Sequence, residues 1–260
     1  MLSLRTDVPT LPLDVTDDAF LGGKLKLLQP RQGHRAGHDA ILLAAAAPVS
    51  KFAIELGAGI GAAGFSLLAR NVAEHITLVE IDPDLAELSR ANASRNGFDR
   101  RTEVIAADIA KLARRREPVV PKPSSADLVL MNPPFNDPSR RNASPNVSRR
   151  RARTAKDTDL NQWVAAADRL LSPGGTLVLI HRPEAIETIL SALKGRFGAT
   201  ELFPVFSRPN APAIRIVVRA IKGRRTPPVI RKGIILTDAG GQPTAAADAV
   251  LRDGTLLDTA

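Results

Sequence analysis

The chain has no cysteine in its 260 residues. That absence excludes disulfides, thiolate zinc sites, iron–sulfur clusters and thiol nucleophiles. It also removes pyrimidine-C5 methylation by cysteine attack and radical chemistry from a cysteine-held cluster. Long apolar runs are missing too. The longest, Ile41 to Ala47, stops at Pro48, far short of the roughly 20 residues a membrane span needs. The N-terminal stretch carries Asp7, Asp14, Asp17 and Asp18 with no apolar core, so no secretory signal is expected and a cytoplasmic location is. His34, His38, His75 and His181 are scattered without a second ligand type at useful spacing, so no metal is expected.

What is present is an ordinary α/β composition, 44% hydrophobic and 24% charged, long enough to bury about 70–75% of its unfolded surface. The formal net charge is +9, an excess that suits a polyanionic partner as well as mere solubility. No internal repeat is visible. From Lys51 onward short apolar runs alternate with helical patterns. Strands are expected at Phe52–Gly57, Ile76–Glu80, Val104–Ala106, Asp127–Met131 and Thr176–Ile180. Helices are expected at Gly61–Arg70, Pro83–Arg95, from Asp108, at Asp157–Leu171 and from Pro183 to Lys194. Two further runs, Glu201–Phe206 and Ala213–Ile221, predict an antiparallel pair. Strands alternating with helices imply right-handed crossovers and a mostly parallel sheet with helices on both faces. In such sheets ligands sit beyond the carboxyl ends of the strands, so the chemistry is sought just after each strand.

The division expected is a lead-in with a short helix over 1–50, a catalytic domain over 51–222, and an extension over 223–260. Residues 1–30 read as extended, and the extension as a small hairpin with a short helix near Ala245–Arg252. The long loop 136–156 lies inside the catalytic domain, and loops of that length are usually functional or disordered.

The first strand runs into Glu55-Leu56-Gly57-Ala58-Gly59-Ile60-Gly61, where glycines permit a tight turn and close approach of a ligand to backbone N–H groups. The second strand ends in Glu80-Ile81-Asp82, which offers a carboxylate for ribose hydroxyls and an apolar side chain for an adenine face. Asp108 and Ile109 follow the third strand, where an adenine amino group would find an acceptor. The first two of these features suit a nicotinamide enzyme equally well. The fourth strand separates the two, because it ends in Asn132-Pro133-Pro134-Phe135, for which hydride transfer has no use. The four signals, in this order, resemble Class I S-adenosylmethionine (SAM) methyltransferases and imply a Rossmann-like seven-stranded domain.

An exocyclic amine is a poor nucleophile because its lone pair is delocalised into the ring. Two acceptors pulling on its N–H bonds pyramidalise it, and the Asn132 side chain and Pro133 carbonyl are suitable. Consecutive prolines fix the backbone and confine Asn132 to extended geometry, while Phe135 offers a stacking surface for a base. Without this context, Asn-Pro-Pro would read as a turn. The following loop carries Arg140, Arg141, Arg149, Arg150, Arg151 and Arg153 with no acid between Asp137 and Asp157. Beside the catalytic motif, these arginines are expected to clamp RNA phosphates around an extruded base; otherwise they are a solvated loop. Trp163 is expected in the core.

Phe20–Leu25, Gln29–Ala40, the glycine turn, Val79–Asp82, Asn132–Phe135, Arg208-Pro209 and Ala213–Lys222 together resemble the bacterial tRNA1(Val) adenine-N6 methyltransferase family. The resemblance covers most of the chain. It implies methylation of the adenine 3′ to the anticodon, and it implies that Arg35, Gly37 and Asp39 fold over the methionine end of the cofactor. One departure stands in the post-motif loop, where Ala152-Arg153-Thr154 lacks a histidine often found in that family. Alternatives are a glutamine-N5 protein methyltransferase, a nicotinamide-dependent oxidoreductase and a non-catalytic RNA-binding protein. The first usually carries a helical domain ahead of the catalytic one, for which 50 residues are too few.

Overall fold

The structure, a computed structural model, describes residues 14–33, 35–114, 121–134 and 160–257. Its centre is a sheet in which β3 (Ser50–Leu56) lies between β4 (Ala73–Glu80) and β6 (Ala126–Met131). β5 (Thr102–Ala106) pairs outside β4, and β7 (Leu171–His181) outside β6. All these pairings are parallel. β9 (Ala213–Lys222) then pairs antiparallel with both β7 and β8 (Phe197–Phe206). The expected seven strands and antiparallel pair are thus present, in the order β8-β9-β7-β6-β3-β4-β5.

The helices are α1 (His38–Ala45), α2 (Ala62–Ala69), α3 (Pro83–Arg95), α4 (Ile109–Leu112), α5 (Leu160–Leu170), α6 (Ile186–Leu193) and α7 (Ala245–Asp248). Alternating side chains divide the core between the two faces of the sheet. Leu128, Leu130, Val178 and Ile180 pack with α1, α2 and α3, whereas Val129, Met131, Leu177 and Leu179 pack with α5 and α6. β6 is buried on both faces, hence its unbroken Leu-Val-Leu-Met run. Trp163 on α5 is 6% exposed and belongs to the second core. The strand expected at Thr176 begins at Leu171, because Ser172-Pro173-Gly174-Gly175 forms an irregular stretch against β6 rather than ending the pairing.

Over the described part of residues 1–30, from residue 14 onward, the expectation of an extended lead-in is corrected. β1 (Val15–Phe20) and β2 (Leu25–Pro30) form an antiparallel hairpin. Its turn holds Leu21, Gly22 and Gly23 at positive φ, and alternation of Asp and apolar residues conceals it. Leu25 and Leu27 are fully buried against α3. The free edge of β2 is completed by asparagines rather than by a strand. Leu28 N–H donates to Asn92 Oδ1 at 2.7 Å, and Asn92 Nδ2 returns a bond to Leu28 O at 3.0 Å. Asn96 does the same for Lys26, at 3.1 and 2.8 Å. Four residues of helix rise about 6 Å and two of strand about 6.7 Å, so side chains at helical spacing i, i+4 match a strand's i, i+2.

The extension also departs from expectation. β10 (Val229–Ile230) and β11 (Ile234–Ile235) do not pair with each other; both run parallel along the outer edge of β8. A small antiparallel bridge, Thr237 to Pro243, and α7 follow. The chain then crosses the hairpin turn, where Lys24 Nζ donates to Asp253 O at 3.1 Å and Arg70 Nε to Gly254 O at 2.7 Å.

Candidate active site

The sheet changes direction between β3 and β6: from β3 the chain builds outward through β4 and β5, then returns to the other side of β3 for β6 and β7. That gap is the topological switch point, the usual ligand crevice of an open α/β sheet. Leu56 is the register partner of both Met131 and Val79. The next residues, Gly57, Asn132 and Glu80, therefore leave adjacent strands at one level, with strands spaced about 4.8 Å apart. Ala106, the partner of Glu80, places Asp108 on the same edge.

Gly57, Gly59 and Gly61 all have positive φ, at 66°, 57° and 82°. The turn has reasons beyond conformation at two of them. A Cβ on Gly57 would lie 2.6 Å from the Trp163 ring, and one on Gly61 would lie 2.8 Å from Leu78 Cδ1. A Cβ on Gly59 would meet nothing within 4 Å, so that face of the peptide is open to a ligand.

Two carboxylates support this turn from within. Glu55, 5% exposed, accepts the Gly64 N–H at 2.7 Å, which holds the first turn of α2. Burial pushes its carboxyl up to about 8, and the nearby Glu80 charge adds to the rise against the opposing Gly64 bond. Glu80, 7% exposed, accepts Gly59 N–H at 2.7 Å on one oxygen. Its other oxygen accepts Ile81 and Asp82 N–H at 2.8 and 2.9 Å. Burial raises its carboxyl also, opposed by these three bonds. Three of about four acceptor positions on a carboxylate are thus occupied; accepting two ribose hydroxyls requires Glu80 to release one backbone N–H. Beside it Ile81 is 58% exposed, an apolar surface free to meet a flat ring. Asp108 caps α4 by accepting Ala110 N–H at 2.8 Å, and Ile109 is partly buried beside it. An exposed apolar residue, a buried acid and an open glycine peptide on one edge fit an adenosine-bearing cofactor.

Asn132 is partly exposed, Pro133 buried and Pro134 exposed, so the motif opens outward beside the glycine turn. Phe135 and Arg140, Arg141, Arg149, Arg150, Arg151 and Arg153 lie outside the described residues, as does the loop 136–156.

Arg35, Gly37 and Asp39 form a separate group. Arg35 donates to Asp18 at 2.5 Å, to Thr16 at 2.8 Å and to Pro30 O at 2.9 Å. Asp39 pairs with Arg215 of β9 at 2.8 Å. Arg35 and Gly37 line a cavity of about 770 Å³ between the hairpin, the start of α1 and the tail, with Gln29, Ser207, Thr237 and Leu251. Gly57, Glu80, Asp108 and Asn132 are not among its lining residues.

Asn92 was invisible to motif reading. Its side chain is 0% exposed and, besides closing β2, donates to Ile60 O in the glycine turn at 3.3 Å. It ties the hairpin to that turn. An asparagine amid a polar helical stretch gives no signal of this in sequence.

The family model described as methyltransferase small domain matches residues 36–204. The tRNA1(Val) (adenine(37)-N6)-methyltransferase of Porphyromonas gingivalis is 30% identical over 207 residues, 77% of this chain and 79% of that relative. The protein of the same name from Aeromonas hydrophila is 28% identical over 194 residues, 73% of this chain and 77% of its own. Among solved structures, a predicted O-methyltransferase from Agrobacterium tumefaciens superposes with a TM-score of 0.67 at 31% identity, covering 82% of this chain and 94% of its own. M. jannaschii TYW2 in complex with AdoMet has a TM-score of 0.53 at 15% identity, covering 81% and 86%, a likeness of fold alone.

Proposed function

Since the chain belongs to the methyltransferase small-domain family and is a SAM-dependent methyltransferase, we propose that it methylates the N6 amine of an adenine in tRNA. The observation that carries this reading is the register of β3 and β6, which brings Asn132 out beside Gly57. An Asn-Pro-Pro element has a chemical purpose at that point only if the acceptor is a planar nitrogen. The relatives named above act, by their names, on adenine 37 of tRNA1(Val), which points to the same acceptor.

The cofactor supplies a sulfonium methyl, electrophilic enough that no nucleophile or general-base triad is required. Gly59 and Glu80 would hold its ribose end, Ile81 would lie against its adenine face, and Asp108 would accept from its adenine amino group. Arg35, Gly37 and Asp39, which belong here to the neighbouring group around the hairpin, would close over the amino-acid end when the cofactor binds. Asn132 Oδ1 and Pro133 O accept the two N–H bonds of the target amine, turning its lone pair toward the methyl carbon. Methyl transfer would form the N–C bond as the cofactor's S–C bond breaks, and the methylated nitrogen would then release one proton to water. Phe135 stacks on the base, and the arginines of 136–156 hold flanking phosphates. Holding donor and acceptor in line contributes up to about 7–11 kcal/mol in favourable systems.

The test is incubation of the protein with labelled SAM and total tRNA, followed by nucleoside mass spectrometry. N6-methyladenosine is the expected product. Label in ribose 2′-O-methyl groups instead would transfer the assignment to a hydroxyl acceptor, the class named for the Agrobacterium structure. Label on protein glutamine would transfer it to an amide.

A further inference from the structure

No acid occurs between Glu201 and Asp238, while Arg208, Arg215, Arg219, Lys222, Arg224, Arg225, Arg231 and Lys232 fall in that interval. Folding neutralises half of these. Arg219 and Arg231 pair with Glu201, Arg215 with Asp39 and Lys222 with Asp168. The pairing is selective, and it leaves a cluster at one end of the β8–β9 pair.

Phe197 and Lys222 are register partners, so the residues just outside them, Lys194 to Arg196 and Gly223 to Arg225, share the amino-terminal end of β8. The backbone there is braced. Gly223 N–H donates to Arg196 O at 2.8 Å, and Ala199 N–H to Thr226 O at 2.9 Å. Gly198 is a glycine because the Arg224 carbonyl occupies the place of a side chain, and Pro227-Pro228 stiffens the chain as it leaves this end. Lys194, Arg196, Arg224 and Arg225 are exposed, and none has an ion-pair partner among the described residues. Arg196 also donates to Ala192 O at 3.3 Å, closing the end of α6, which accounts for that residue alone. No hydrogen bond or ion pair among the described residues engages the side chains of Lys194, Arg224 or Arg225. A bare solvated face would not need rigid presentation of like charges, whose mutual repulsion costs stability.

We propose that Lys194, Arg196, Arg224 and Arg225 form a ledge that binds the phosphate backbone of the tRNA substrate away from the target base. The proposal rests on the tRNA reading above. β8 has ten residues, which span about 33 Å at strand rise, and its sense matches that of β6 and β7. The ledge is therefore at the opposite end of the sheet from Asn132. With the target base at the carboxyl edge, the ledge meets phosphates outside the loop that carries the base. Such contacts add affinity and orientation without reading sequence.

The test is the double variant Arg224→Glu with Arg225→Glu, alongside Arg224→Gln with Arg225→Gln. On full-length tRNA the charge reversal raises KM about tenfold or more and leaves kcat within about twofold. The glutamine pair gives a smaller rise and a shallower salt dependence, by about 0.7–0.9 in log–log slope for each phosphate no longer neutralised. An isolated anticodon stem-loop is methylated equally by both variants and wild type. Anisotropy of labelled, unmodified tRNA without SAM reads the ledge independently of the chemistry. Unchanged KM, anisotropy and salt slope in both variants, with wild-type methylation intact, overturns the ledge and leaves the function standing. A wild type that binds tRNA through these arginines but does not methylate it overturns the function and leaves the ledge. A wild type that does not bind tRNA overturns both.

Discussion

The two halves of the sheet treat a glutamate in opposite ways. On the β3–β4 side, Glu55 and Glu80 are satisfied, among the described residues, by backbone N–H groups, and burial drives both carboxyls upward. On the β8–β9 side, Glu201 is also partly buried, which alone would raise its carboxyl. Hydrogen bonds and charge from Arg219 and Arg231 outweigh that and hold it below the usual range. Peptide N–H groups fix Glu80 in place without a cation to saturate it, so a ligand's hydroxyl still gains by meeting it, whereas Glu55 is turned inward to brace α2. Two guanidiniums saturate Glu201 and make it a rivet. The difference separates a carboxylate kept for binding from one used for construction.

The largest effect expected is at the switch point itself. Asn132→Ala should lower methyl transfer by about 10²–10³-fold, the scale of losing one preorganised hydrogen-bonding group. Calorimetry should still detect SAM binding, since Glu80 and the glycine turn remain. Full activity in this variant would remove the chemistry from the β3–β6 gap and leave the comparison without a functional side.

Glu55 sharpens the contrast through pH. Its folded carboxyl titrates near 8 against an ordinary 4.5, so between these values the native state holds a proton that the unfolded chain has lost. Stability therefore falls as pH rises across that window, by several kcal/mol at most on the order given by linkage. Glu55→Gln should flatten the dependence of the urea midpoint between pH 5.5 and 8. A variant with the wild-type slope would show that the buried charge lies elsewhere.

Glu201 should show the reverse sign. Glu201→Ala leaves two guanidiniums facing each other and should cost about 1–3 kcal/mol at neutral pH. Because the folded carboxyl is depressed, wild type loses this stabilisation as pH drops below the ordinary glutamate value, so the two proteins should converge in acid. Constant separation from pH 7 to pH 3 would contradict the rivet. The smallest effect belongs to Ile81→Ala, which removes apolar contact from the binding half and should weaken SAM affinity about fivefold, roughly 1 kcal/mol. Isothermal calorimetry decides it; unchanged affinity places the adenine ring elsewhere.

Local chemistry made the binding half legible. Glycines that must take positive φ, an acid ending an apolar run and a Pro-Pro after another each carry their constraint in one or two residues. From strands alternating with helices, the parallel sheet and the level of its chemistry followed. The β8–β9 half was legible only as strands, because which arginine meets Glu201 and which stays exposed depends on partners up to 30 residues away. The hairpin is hidden in the sequence because its alternation mixes aspartates with apolar residues, and what stabilises it lies on α3.

By itself, then, the sequence determined the order of elements from β3 to β9, the open α/β class and the four signals at the carboxyl ends of the first four strands of the parallel sheet. These follow from short-range rules: periodicity, turn stereochemistry and the absence of cysteine. The tertiary structure alone decided that Asn92 and Asn96 stand in for a strand, that Glu55 faces inward to α2, and that Arg35 is engaged by Asp18. It also decided which cations are left unpaired at the sheet's amino-terminal end. Hydrogen bonds and ion pairs are chosen by distance in space, and that distance exists only once the chain has packed.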